Sequence, residues 1–202
     1  MRCLSVAFAL LLCSCAARQQ RIPLDLPGIP QEVDPSLAIM TANGQGGHGC
    51  PVDGVVFTAR HVMWNKEEHR FEGATWSSRG RDGVAFVVGV SSVQDIVVLS
   101  IEDGVVTYLP RGWAAVGDLV FWFEYDFRTR ANGLRARRMF AKVLRIVARQ
   151  YVLDGIPTGG GSGGCLINER GEAVGLIAGG WLTNDKGAVG VAPFLPKPVV
   201  EQ

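Results

Sequence analysis

Short apolar runs, broken by turn residues, recur from about Ser36 to the end of this chain. They are "GVVFTARHV" (54–62), "GVAFVVGV" (83–90), "DIVVLSI" (95–101), "DLVFWFEY" (118–125), "MFAKVLRIV" (139–147), "AVGLIAGG" (173–180) and "AVGVAPF" (188–194). Each is rich in Val, Ile, Phe or Trp, which fit a pleated, half-buried surface, so each predicts a strand. "RANGLRA" (130–136) sets Asn-Gly between two such runs, a strong hairpin signal. "NERGEAV" (168–174) predicts another tight hairpin, with Gly171 able to take the positive φ that a turn needs. A 3.6-residue period is nearly absent, and only "HVMWNKEEHRF" (61–71) has room for a helical turn. The pattern predicts an all-β chain, folded as a sandwich or as barrels.

Composition agrees with the pattern. Apolar residues make up 48% of the 202, enough for a real core, and there are 26 glycines. That is roughly twice the ordinary share of ~7%. The formal net charge of +1 offers no argument for a nucleic-acid partner, and none is expected.

The first 20 residues follow a different logic. "MRCLSVAFALLLCSCAARQQ" opens with one arginine, Arg2, followed by an apolar stretch from Leu4 to Leu12, then small residues. This is the form of an export signal, shorter than the ~20 apolar residues of a spanning helix. Two processing routes fit. "LCSC" (12–15) is similar to a bacterial lipobox, which would make Cys15 the lipidated first residue of the mature protein and give it a membrane anchor. Alternatively, signal peptidase cuts after Ala17 and releases a soluble protein. The expected location is the bacterial cell envelope, facing the periplasm or the outer surface, with secretion as the alternative. Residues 16–35 include four prolines and read as an extended tether, and residues 36–202 as one domain. Of five cysteines, Cys3 and Cys13 leave with the signal and Cys15 is lipidated or lost. Cys50 and Cys165 remain, either bridged in an oxidising compartment or buried as thiols.

"TGGGSGGCLI" (158–167) has a linker's composition but not a linker's place, because strand-like sequence follows at once within the same domain. A nucleophile loop accounts for it better. If the N–H groups of a serine and of the residue two before it both point at an oxyanion, the backbone is contorted, and glycines permit that. Gly160 and Ser162 have this spacing. Serine needs a base, and the base needs an orienting carboxylate. Of the three histidines, His69 lies in the charged "KEEHR" and reads as solvated, and His48 lies in the glycine loop "GGHGC". His61 ends a strand beside small residues and Thr58, well placed for a cleft. Asp95 is a lone carboxylate opening an apolar run, where a buried acid needs a partner such as an imidazole N–H.

With those residues in view, the chain resembles the chymotrypsin-like (trypsin-fold) serine proteases, in style nearest to bacterial periplasmic ones. "TARHV" is similar to their Thr-Ala-Ala-His, "QDIVVLSI" to their Asp-Ile-Ala-Leu-Leu strand, and "GGGSGGCL" to their Gly-Asp-Ser-Gly-Gly-Pro loop. The order His, Asp, Ser matches, with gaps of 34 and 67 residues. The resemblance covers about 36–198. It implies two six-stranded antiparallel β-barrels, about 36–112 and 113–198, with the active site in the cleft between them. It implies a serine endopeptidase acting on protein or peptide substrate, with His61, Asp95 and Ser162 as the triad and Gly160 and Ser162 as the oxyanion hole.

The resemblance carries further expectations. The primary pocket falls at Ile156, Ala178, Gly179, Gly180 and Gly190, none of them charged, which implies an apolar residue before the cut bond. A Cys50–Cys165 bridge would tie the two barrels together. Gly161 stands where the digestive enzymes have an aspartate that binds a new N-terminus, so zymogen activation of that type is not expected. Gly161, with Arg60 beside His61, also keeps a rival reading alive: a catalytically silent, membrane-anchored binding or scaffold module. The basic stretch from Arg128 to Arg149 reads as the solvent face of a hairpin. There is no metal-ligand spacing and no phosphate-cradling loop, so no metal and no cofactor are expected.

Overall fold

A computed structural model describes residues 37–78, 81–101, 106–125, 136–155, 157, 160–183 and 187–195. The leader with Cys15, the tether, the Asn132–Gly133 turn and Ile156 lie outside the described residues. The first half holds β1 (Leu37–Thr41), β2 (Gly46–Val52), β3 (Val55–Thr58), the helical turn α1 (Arg60–Met63), a small hairpin of β4 (Trp64–Asn65) and β5 (Arg70–Phe71), then β6 (Ala74–Ser78), β7 (Arg81–Val90) and β8 (Val97–Ile101). Six of these close a barrel in the order β1-β2-β3-β8-β7-β6, every pairing antiparallel. The tight β2–β3 connection turns on Asp53 and Gly54, both at positive φ, as a two-residue hairpin requires.

The second half holds β9 (Leu119–Tyr125), β10 (Ala136–Val147), β11 (Gln150–Leu153), β12 (Cys165–Asn168), β13 (Ala173–Leu176), β14 (Gly179–Thr183) and β15 (Gly187–Pro193). Their order is β13-β12-β9-β10-β11-β15-β14. Only Ile177 and Ala178 separate β13 from β14, so these are two halves of one bent strand, pairing with β12 at one end and β15 at the other. An antiparallel bridge from Gly175 to Phe194 joins the two ends of the sheet. The second unit is therefore also a six-stranded antiparallel barrel. The hairpin expected at 168–174 is the β12–β13 turn, with Gly171 at φ 78°. The helical turn expected within 61–71 is the short α1, and the rest of that segment is the β4–β5 hairpin.

Alternation along β9 couples the barrels. Phe121 and Phe123 join one core with Ile39, Phe57, Ile96 and Leu99 of the first barrel. Val120 and Trp122, on the other face, join a second core with Met139, Tyr151, Leu153 and Leu166. Between the barrels, the linker is fixed by Arg111, whose Nε donates to Asp53 Oδ2 at 3.0 Å and whose Nη1 donates to the Leu195 carbonyl at 2.9 Å. A disulfide joins Cys50 of β2 to Cys165 of β12, with Cα atoms 4.8 Å apart and both residues fully buried. Along β10, Met139, Ala141 and Val143 are buried while Arg137, Lys142 and Arg145 are exposed, like Arg149 in the turn that follows, as expected for a solvent face. Arg138 is half-buried, its guanidinium carbon 5.3 Å from the Phe121 ring centre and 5.5 Å from that of Phe123.

Candidate active site

His61 sits in α1, just past the end of β3, and Asp95 in the loop that enters β8, so the β3–β8 pairing brings the two together. Two hydrogen bonds join them. The His61 backbone N–H donates to Asp95 Oδ1 at 3.0 Å, and ring Nδ1 lies 2.5 Å from Oδ2. An ionised carboxylate only accepts, so Nδ1 carries the proton and the neutral ring keeps its lone pair on Nε2. Burial pushes the Asp95 carboxyl up. The hydrogen bond and charge of the imidazole, with the backbone amides of His61 and Arg60, outweigh that and hold it below its ordinary value. The pair stays open to solvent, His61 at 44% and Asp95 at 36% of side-chain surface, unlike an ion pair buried for packing.

Ser162 is displayed on a tight turn. The Gly164 N–H donates to the Gly161 carbonyl at 3.0 Å, which makes 161–164 a β-turn. Gly163, its third residue, has φ 84°, the mark of a type II turn, and Ser162 occupies the half-buried second corner. Gly163 is required for a second reason: a Cβ there would lie 2.1 Å from the His48 carbonyl oxygen and 2.4 Å from Thr58 Oγ1. Gly47 permits a similar approach, since its Cβ would lie 2.7 Å from a Val62 methyl and 2.9 Å from the Ser162 carbonyl oxygen. The serine turn therefore seats directly on β2 and on Thr58 and Ala59, where β3 ends and leads into the helical turn with His61. Among the described residues, no hydrogen bond joins Ser162 Oγ to His61, and no group accepts from the N–H of Gly160 or Ser162.

His48 was passed over in the sequence and proves to be the clasp of this seat. It is fully buried, its backbone N–H donates to the Ser162 carbonyl at 2.8 Å, and its ring Nε2 lies 2.6 Å from the Gly160 carbonyl. A carbonyl only accepts, so Nε2 is the protonated nitrogen of a neutral ring. Burial lowers its pKa to about 4, with the Gly160 bond opposing. Thr58 Oγ1 donates to the His48 carbonyl at 2.6 Å, which ties this clasp to β3. The flanking glycines were the available signal, because a histidine with small neighbours on both sides is suited to lie between two backbones.

Of the expected pocket residues, Ala178 and Gly179 are half-buried, and Gly180 pairs with Gly190 across β14 and β15. Arg60 is held over the Trp64 and Phe71 rings, at 5.6 and 5.9 Å from their centres.

The sequence pattern of the family described as "Trypsin-like peptidase domain" matches residues 45–176. The chain belongs to the trypsin-like peptidase family. No curated protein matches it in sequence. Solved structures share its fold at low identity. The serine endoprotease from Yersinia pestis superposes with a TM-score of 0.65 at 20% identity, over 81% of this chain and 60% of that one. A protease from M. tuberculosis in its active form gives 0.64 at 18%, over 80% and 76%. A Glu endopeptidase gives 0.63 at 15%, over 79% and 84%. This trypsin-like peptidase thus spans about three-fifths of the Yersinia protein.

Proposed function

We propose that this peptidase is an exported serine endopeptidase in which Ser162, His61 and Asp95 act as a triad. Ser162 Oγ attacks the scissile carbonyl while His61 Nε2 takes its proton. The amides of Gly160 and Ser162 receive the oxyanion. His61 then returns the proton to the leaving amine, and water enters by the same path to release the acyl group. Asp95 holds Nδ1–H and stabilises the imidazolium. The observation that carries this reading is the double hydrogen bond from His61 to one carboxylate, beside a serine turn seated on Thr58 and Ala59, which lead straight into the helical turn of His61. Catalytic hydrogen bonds often tighten only in the substrate complex, so the lack of an Oγ bond to His61 is consistent with the triad. The pocket reading, with Ala178, Gly179, Gly180 and Gly190 uncharged, favours an apolar residue before the cut bond.

The test is a fluorophosphonate probe on the oxidised domain, with the adduct mapped by mass spectrometry. An adduct on Ser162 that disappears in His61→Ala supports the triad. A folded protein that takes no label supports the rival, a silent binding module. The envelope location is a separate proposal resting on "LCSC". Membrane association of the full chain should be lost in Cys15→Ser, and an unchanged membrane fraction would refute lipidation.

A further inference from the structure

Among the described residues, Glu124 is the one buried carboxylate, 5% exposed on β9. It lies on the same face of the strand as Trp122, whose indole Nε1–H donates to Glu124 Oε1 at 2.9 Å. Beyond this pair is Gly161, the residue before Ser162. A Cβ built at Gly161 would stand 3.3 Å from Glu124 Cγ, 3.4 Å from Glu124 Oε1 and 3.4 Å from Trp122 Nε1. Gly161 is not among the glycines at positive φ, so its backbone suits any residue. A methyl there would rest against Glu124 and Trp122, with Glu124 Cγ having to give by a few tenths of an ångström. A carboxylate is costly to bury in a barrel interior, and a hydrophobic strand has no packing need for one. Its placement against the loop is what calls for explanation.

We propose that Glu124, braced on Trp122, is a positioning residue for the nucleophile, acting through Gly161. It rises from β9 to support residue 161 and so sets the height of the 161–164 turn. His48 grips Gly160 and Ser162 from the first barrel, and Glu124 supports the residue between them from the second. Support on both sides fixes Ser162 Oγ and the Gly160 and Ser162 amides relative to His61. This inference rests on reading Ser162 as the nucleophile.

The test uses Glu124→Ala, Glu124→Gln, Gly161→Ala and the Gly161→Ala/Glu124→Ala pair in the oxidised protein. Two readouts are taken: fluorophosphonate labelling of Ser162, resolved into maximal rate and half-saturating concentration, and amide hydrogen exchange of the peptide that includes 160–164. Glu124→Ala should lower the maximal rate about 10²-fold, as for a nucleophile displaced by an ångström. Its half-saturating concentration should stay within about threefold, because probe binding is not the affected step. Glu124→Gln should restore most of the rate, since its side-chain oxygen still accepts from Trp122. Gly161→Ala should lose about 10-fold through crowding against Glu124. The double variant should be faster than the two losses combined would give, since removing Glu124 makes room for the new methyl. Exchange at 160–164 should quicken in Glu124→Ala and not in Glu124→Gln. Wild-type labelling and exchange in Glu124→Ala would overturn the proposal, and so would Glu124→Gln failing as badly as the alanine variant. If wild type takes no label, the nucleophile reading fails, and exchange alone then decides whether Glu124 holds the turn.

Discussion

Acid should loosen the barrel-to-barrel clasp through His48. In the folded protein its ring is fully buried, donates to the Gly160 carbonyl and has a pKa lowered to about 4; released into water it returns to 6.5. The unfolded chain therefore binds this proton more readily. Above pH 6.5 neither state is protonated and His48 adds no pH dependence. Between pH 6.5 and about 4 the unfolded state gains the proton first, and stability falls with acid by up to ~1.4 kcal/mol per pH unit. Below about 4 the loss levels off, at about 3 kcal/mol in all. Asp95 also loses stability as pH falls, because its carboxyl is held below its ordinary value, so wild type alone cannot isolate the histidine. His48→Gln can, because its amide places a donor near Nε2 and does not titrate. The assay is urea unfolding of both proteins at pH 8, 6.5, 5.5 and 4.5, with the difference in unfolding free energy plotted against pH. Stability is the right readout, since labelling of Ser162 also demands a neutral His61. Wild type should lose about 2.5 kcal/mol against His48→Gln between pH 8 and 4.5. Parallel curves for the two proteins would refute the argument.

Three further outcomes are expected. Replacing Cys50 and Cys165 by alanine should cost 2–4 kcal/mol, against a chain-entropy ceiling of about 5 for the 115-residue separation; a urea midpoint that does not move would show that the bridge constrains nothing. Asp95→Asn should lower kcat about 10⁴-fold with little change in KM, because the wrong His61 tautomer is then favoured; a loss confined to KM would remove Asp95 from the mechanism. The β10–β11 turn places Ala148 and Arg149 at φ 47° and 63°, a conformation that suits Asn-Gly. Ala148→Asn with Arg149→Gly should raise stability by about 1 kcal/mol, read from the thermal midpoint, and a fall would mean the wild-type side chains hold that turn in ways the backbone angles do not reveal.

The strands that could be read from sequence were those with dense runs of Val, Ile and Phe. β1, β6 and β11 went unpredicted because "LAIMT" is brief and "ATWSS" dilutes its buried Ala74 and Trp76 with serine and threonine. "QYVL" is only four residues long. Asp95 was legible as a lone acid at the mouth of an apolar run. The same rule applies to Glu124, but "VFWFEY" reads as a strand reaching its polar end, and the approach of Gly161 to that acid is a matter of tertiary structure that no local pattern encodes. His48 was hidden because its partners, Gly160 and Ser162, lie more than a hundred residues away, and no local pattern encodes that register. The bridge between Cys50 and Cys165 has the same character: it was inferred by resemblance and lies at a contact of β2 with β12.

The two faces of β9 have a consequence for how this chain is inherited and made. Phe121 and Phe123 face a core shared by both halves, with Ile39, Phe57 and Leu99 from the first and Ile167, Leu176 and Leu195 from the second, while Val120 and Trp122 face a core built from the second half alone. A fragment ending in the linker at Gly112 would lack two aromatic rings that its core packs against. That same core also takes in Ile167, Leu176 and Leu195, so it is whole only when the second half has been made. Neither piece is a self-sufficient module that could be shuffled singly into another gene.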